Sequence, residues 1–289
     1  MGTILVATDF SARADRALRR ALLESRRLGA DLMLVHVIDD DQPAYMIERQ
    51  REVAEELLGD AVRTFSDVDK VRADMTIRTG DAFAAILDAA DDVDAQMIVI
   101  GPHRPRLSDM IFGTTAQRTI GDSSRPLLVA NSMPSGPYRR ILLAIDKEEA
   151  SKEAALAARK LGIFDEAQLL TLHVFDAPAL GMMQRAMEVP EAIDHYVSSE
   201  EQRASAAFGE FLSGLGLPPS RQMLRPDRGS PAHAILACAE EEAADLILVG
   251  SGKRSGVERL FVRSVAKELL RESRRDLLVI PLAGEDAND

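Results

Sequence analysis

Tryptophan is absent from this 289-residue chain, aromatic residues make up only 4% of it, and cysteine occurs once, as Cys238. A lone thiol excludes an internal disulfide and fits a reducing compartment, so the expected location is the cytoplasm. So few aromatics leave little from which to build base-stacking platforms. Basic residues are also in short supply, 35 against 47 acidic ones, and the net charge of −12 divides evenly on either side of residue 133. An evenly acidic chain repels a phosphate backbone, and no basic stripe with interleaved aromatics offsets it. Nucleic acid is therefore not an expected partner. No apolar run approaches the ~18 residues that a membrane span needs. The opening Met1-Gly2-Thr3-Ile4-Leu5-Val6 lacks the basic segment of a secretory signal, so neither a membrane nor a leader is expected.

What is present is 46% hydrophobic and 28% charged residues, at a length that suits two domains of ordinary size. An internal repeat supports that division. Ile4-Leu5-Val6-Ala7-Thr8-Asp9 returns as Ile141-Leu142-Leu143-Ala144-Ile145-Asp146, and Leu34-Val35-His36-Val37 returns as Thr171-Leu172-His173-Val174, both 137 residues later. Gly80 and Gly101 match Gly229 and Gly250 at an offset of 149, and Leu127-Leu128-Val129 matches Leu277-Leu278-Val279 at 150. The order holds along the whole chain, with one longer insertion in the second copy. The turn-rich Asn131-Ser132-Met133-Pro134-Ser135-Gly136-Pro137 reads as the joint, giving expected domains at 1–133 and 138–284.

Within each copy, short aliphatic runs alternate with helical patterns. In the first they predict strands near 3–8, 32–38, 73–78, 96–101 and 126–130. Continuous apolar runs such as Met97-Ile98-Val99-Ile100 suit a parallel sheet covered on both faces. Ala14, Ala17, Leu18, Ala21 and Leu22 fall at helical spacing, and Ser11 is placed to cap that helix. The predicted fold class is α/β: two tandem, doubly wound, five-stranded parallel-sheet domains with strand order 3-2-1-4-5. A ligand crevice is expected between strands 1 and 4, where the winding reverses. The final strands, 126–130 and 276–280, are natural edges for pairing, which suggests an intrachain pseudo-dimer and leaves a homodimer open.

The residues at that crevice define the candidate site. Strand 1 ends in Asp9, with Asp146 its counterpart; such a carboxylate accepts from a ribose hydroxyl or an adenine amine, or equally caps the next helix. Strand 2 ends at Val37 and Val174, whose backbones are placed to bond an adenine edge. Strand 4 leads into Gly101-Pro102-His103-Arg104 and then Gly113-Thr114-Thr115, where glycines and a helix start would let phosphates approach the backbone.

The run Ile4–Ser11, the Leu34–Val37 stretch and the Gly-x-His … Gly-Thr loop resemble the universal stress protein family, twice over and across nearly the full chain. Nucleotide-binding members of that family hold ATP phosphates with Gly-x-x-Gly, nine residues, then Gly-Ser/Thr. Their strand-1 Asp and a strand-2 Val hold the ribose and adenine. The resemblance implies a fold of the adenine nucleotide α-hydrolase kind. In the first copy the matching positions are Asp9, Val37, Gly101, Gly113, Thr114 and Thr115, with His103 near the phosphates. Both copies depart from the pattern. Arg104 replaces the second glycine of the first copy; in the second copy Gly250 survives, but Lys253 and Arg263-Ser264 replace the later glycines. A side chain there obstructs close backbone approach, whereas Arg104, Lys253 and Arg263 could hold phosphate through their own charge or be paired to nearby carboxylates.

Other residues carry weaker signals. His36 and His173 recur at one repeat position and read as structural, bonded to a neighbour. His195 and His233 have no partner legible in the sequence, and no Ser-His-Asp set assembles. Cys238 sits on a small-residue helix face and reads as a buried thiol; Asp39-Asp40-Asp41 reads as a solvated loop. The Met-rich stretch Ala179–Val189 reads as packing, or as a surface for an apolar ligand or partner. The expected function is a non-catalytic stress-response protein that binds ATP, ADP or AMP, better in the first copy, with Mg2+ only alongside ATP. The alternatives are a nucleotide-free scaffold acting through protein contacts, and a slow ATP hydrolase, for which no positioned base or metal cage is visible.

Overall fold

Aliphatic runs such as Thr3-Ile4-Leu5-Val6 form central strands here because alanine-rich helices alternate with them along the chain and can cover them. The structure is a computed structural model that describes residues 2–102, 123–146, 148–187, 189–251 and 259–281. Its chain divides into two units, Met1–Pro137 with Asp276–Pro281, and Tyr138–Arg275.

The first unit runs β1 (Thr3–Ala7), α1 (Ala14–Leu28), β2 (Asp31–Ile38), α2 (Ala44–Asp67), β3 (Ala73–Thr79), α3 (Ala82–Asp92), β4 (Ala95–Ile100) and β5 (Leu127–Val129). Its strands follow the order β3-β2-β1-β4-β5, all parallel, with Ile4 opposite both Leu32 and Met97. Ile4, Leu5, Val6, Leu34, Val35, Met97, Ile98 and Val99 are buried at the sheet's centre, as the unbroken apolar runs require. Ala14, Ala17 and Ala21 form the buried face of α1 and keep that helix close to the sheet. Ser11 does meet this helix: its hydroxyl accepts from the Ala14 N–H at 3.3 Å. Gly29, at φ 61, ends it by donating to the Ser25 carbonyl.

The second unit repeats the plan as β6 (Arg140–Ala144), α4 (Glu149–Lys160), β7 (Gln168–Phe175), α5 (Leu180–Arg185), α6 (Pro190–Ser213), β8 (Ser220–Pro226), α7 (Pro231–Glu241), β9 (Leu246–Ser251) and α8 (Arg259–Glu272). The strands lie β8-β7-β6-β9, again parallel. The insertion that distinguishes this repeat contains the short helix α5. Gly80 and Gly229 recur because the turns before α3 and α7 take φ values of 120 and 105, open only to glycine, ahead of the caps Asp81 and Ser230.

The last strand, β10 (Asp276–Pro281), comes from the second repeat in sequence but groups with the first unit, antiparallel to β5 with Leu278 opposite Leu128. Among the described pairings it alone is antiparallel. The two final strands, expected from the sequence to be pairing edges, thus pair with each other. A buried polar network fixes the exchange. Asp276, fully buried, accepts from the Ser132 N–H and hydroxyl at 2.8 and 2.6 Å and from Arg20 Nε at 3.0 Å. Arg20 also donates to the Gly136 carbonyl at 3.0 Å, and Arg27 pairs with buried Glu24 at 2.9 Å. Strand, linker and α1 are held by one cluster in which each buried charge meets an opposite one.

Candidate functional site

The site grows from the place where β1 gives out. Thr8 N–H still donates to the Val35 carbonyl at 2.9 Å, the last rung between β1 and β2, after which the chain turns away toward α1. Backbone groups alternate sides along a strand, so Val37, two residues on, turns its own N–H and carbonyl to the side that β1 has vacated. That is the edge the sequence reading assigned to an adenine. In the second unit Ile145 N–H donates to the Leu172 carbonyl in the same way, which places Val174 alike.

Asp9 follows in an Asx turn, its carboxylate accepting from the Ser11 N–H at 3.0 Å. Partial burial pushes this carboxyl up, but hydrogen bonds from the Ser11 hydroxyl and backbone and the charge of Arg13 outweigh it, and the net direction is down. Asp9 is thus an exposed carboxylate, ionised at neutral pH, at the mouth of the strand ends. Asp146 repeats the turn by accepting from the Glu148 N–H at 3.0 Å. Asp9 therefore holds the turn before α1 and does not cap the helix itself, whose Ala14 N–H goes to the Ser11 hydroxyl.

Phe10 lies between these anchors with φ 59, a left-handed conformation that costs a non-glycine residue about 1–2 kcal/mol. It turns the ring onto His36, with centroids 4.4 Å apart. His36 Nδ1–H donates to the Thr8 carbonyl at 2.8 Å, and His173 repeats the bond to Ile145 at 3.2 Å, so these histidines are structural ties between strands 1 and 2. Phe10 and His36 form one wall of a cleft of about 440 Å³; the first turns of α2, with Tyr45, Met46, Arg49, Gln50 and Val53, form the other. That volume falls in the range of small-molecule sites. The cleft opens on the β2 side of the β1 end; the crevice expected between strands 1 and 4 leads to residues 103–122, which lie outside those described.

Gly101, at the exit of β4, has a packing reason for being glycine. A Cβ there would stand 2.8 Å from the Arg13 carbonyl oxygen and 3.2 Å from the Ala14 Cα. The first N–H groups of α1 are already engaged, Ala14 with the Ser11 hydroxyl and Asp15 with the Ser11 carbonyl. His103, Arg104, Gly113, Thr114, Thr115 and Lys253 lie outside the described residues. Gly250 is in β9, and the backbone of Arg263 and Ser264 is in α8.

In the second unit α5 packs against the end of β7 and the start of α6. Phe175, Ala177, Leu180 and Ala204 form a buried cluster to which Ile193, Tyr196 and Val197 of α6 pack, and the Ala179 N–H donates to the Tyr196 hydroxyl at 3.1 Å. Leu180 does the packing within the insertion, while Met182 and Met187 stand 62% and 91% exposed. Cys238 is buried as expected; burial pushes its thiol up, and it donates to Met223 Sδ at 3.7 Å. The α2 wall was missed in the sequence. Its signal was that Tyr45, Met46, Val53 and Leu57 stand off the buried stripe of Ala54 and Leu58.

A parallel sheet wound in both directions, with a carboxylate at the end of its first strand, defines the doubly wound class of α/β protein, whose ligands lie at the carboxyl ends of the strands. Within that class the chain belongs to the universal stress protein family, whose model matches residues 1–131 and again 137–281. A universal stress protein of Mycolicibacterium smegmatis is 27% identical over an alignment covering 96% of each chain. One from Methanocaldococcus jannaschii is 28% identical over 50% of this chain and 82% of its own. Among solved structures, a universal stress protein from Archaeoglobus fulgidus matches with a TM-score of 0.68 at 20% identity, over 98% of this chain and 97% of that one. Among the described residues no helix is long and apolar enough to cross a membrane.

Proposed function

We propose that this universal stress protein is a cytoplasmic stress-response binding protein whose first repeat holds one adenine nucleotide, ATP, ADP or AMP, without turning it over. The observation that carries this reading is the contrast between the repeats. In the first a cleft opens beside Asp9 and Val37, while in the second Leu180 of α5 packs on Phe175 at the end of β7 and on the start of α6. An apolar slot with an ionised carboxylate at its edge suits a flat base carrying a ribose: the base enters between Phe10 and α2, Asp9 accepts from a sugar hydroxyl, and the Val37 backbone reads the base edge. Phosphates would then extend toward Gly101 and the loop that follows it, with Mg2+ accompanying ATP alone.

Calorimetric titration of the full chain with ATP, ADP and AMP tests the reading. One site per chain is expected, weakened at least about tenfold by Asp9→Ala, the worth of a hydrogen bond to a charged acceptor. The second reading, a nucleotide-free scaffold, is favoured by the exposed apolar residues of α2, where Tyr45 is 75% and Val53 44% accessible. A chain that binds none of the three nucleotides would leave that reading in front.

A further inference from the structure

We propose that the second unit carries a site for a divalent transition metal, zinc by its geometry, formed by His233, Glu268 and Glu272. Two helices supply the ligands. His233 stands in the first turn of α7, and Glu268 and Glu272, four residues apart, share one face of the last turns of α8. His233 Nε2 lies 3.4 Å from Glu268 Oε1 and 3.3 Å from Glu272 Oε2, and the three ligand atoms all fall within 4.8 Å of one another.

Donors placed tetrahedrally around zinc at about 2.0–2.1 Å stand about 3.3 Å apart, along the edge of the tetrahedron, and the two separations from His233 Nε2 are of that size. An exposed ion pair would also be worth little here, since the His233 side chain is 66% accessible.

The surroundings already orient the ligands. The Ser230 hydroxyl, which caps α7 by accepting from the His233 N–H at 3.3 Å, donates to Glu268 Oε1 at 3.0 Å. Arg271 donates to Glu272 Oε1 at 2.6 Å and so leaves Oε2 turned to the histidine. Metal sites depend on such supporting bonds. The C-terminal end of α8 favours a cation at the site through its dipole, while the N-terminal turn of α7 that carries His233 opposes it. Imidazole with two carboxylates suits zinc and its neighbours over calcium or magnesium, which need six or more oxygens. The exposed side leaves the fourth position to water. A bound ion would clasp the start of α7 to the end of α8.

Calorimetric titration of the chelator-treated full chain with Zn2+, in excess Mg2+, tests this directly, with thermal unfolding as a second reading. The expected result is a zinc site that raises the unfolding temperature and that His233→Ala and Glu272→Gln each weaken at least about tenfold. All three positions are on the surface, so these variants fold. No zinc binding by the unmodified chain, or zinc binding of unchanged affinity in His233→Ala, overturns the proposal.

Discussion

Single residues at the strand ends work under two demands, holding the local backbone and staying open to a ligand. Asp9 shows both. Because folding holds its carboxyl below the ordinary value of about 4, Asp9 contributes stability above that pH and loses it as the pH falls through the lower folded value. Asp9→Asn keeps an acceptor for the Ser11 N–H but has no charge to lose. The stability difference between the two proteins, measured by denaturant melts, should be present at pH 7 and shrink below about pH 4. Gly101 answers to packing as well. Gly101→Ala drives a methyl into the backbone at Arg13, a contact that no side-chain movement relieves, and should cost about 1–3 kcal/mol in the same melts. Asp9, Val37 and Gly101 were legible in the sequence because strand ends are marked by where an apolar run stops. The left-handed turn at Phe10 was not, since a non-glycine in that conformation is imposed by its surroundings and leaves no mark in the residue itself.

At the scale of elements, the strands came through within a residue or two, because buried parallel strands must be apolar throughout. The pairing of β10 with β5 was legible too, in the final runs 126–130 and 276–280 read as pairing edges. That β10 thereby groups with the first unit was not, since Leu277-Leu278-Val279 would fit either unit. What settles it is the polar cluster of Asp276, Ser132, Arg20 and Gly136, contacts spanning 116 to 256 residues of sequence that no local pattern announces. Asp276→Ala removes the nearer of the two carboxylates around buried Arg20, with Glu24 at 4.0 Å the other, and should destabilise the first unit by about 3 kcal/mol. A paired Arg20→Met, Asp276→Leu replacement should recover most of that loss, because it removes both charges together. The α5 insertion likewise was visible as extra length rich in methionine. Its packing residue is Leu180, and the methionines stay largely in solvent.

Across the whole molecule, duplication supplies two copies of one framework and divergence supplies the difference between them. Strand order, the Asx turns at Asp9 and Asp146, the histidine ties at His36 and His173 and the glycines at 80 and 229 are held in common. The surroundings are not: the first repeat has a cleft between Phe10, His36 and α2, and the second packs α5 against β7 and α6 and brings His233, Glu268 and Glu272 together. On this account the repeats have parted company in what they bind. The most direct test is calorimetric titration of ATP into the full chain alongside Asp9→Ala and Asp146→Ala. The account predicts one nucleotide per chain, lost or weakened at least about tenfold in Asp9→Ala and unchanged in Asp146→Ala. Two equivalent sites, or a single site lost through Asp146→Ala, would contradict it.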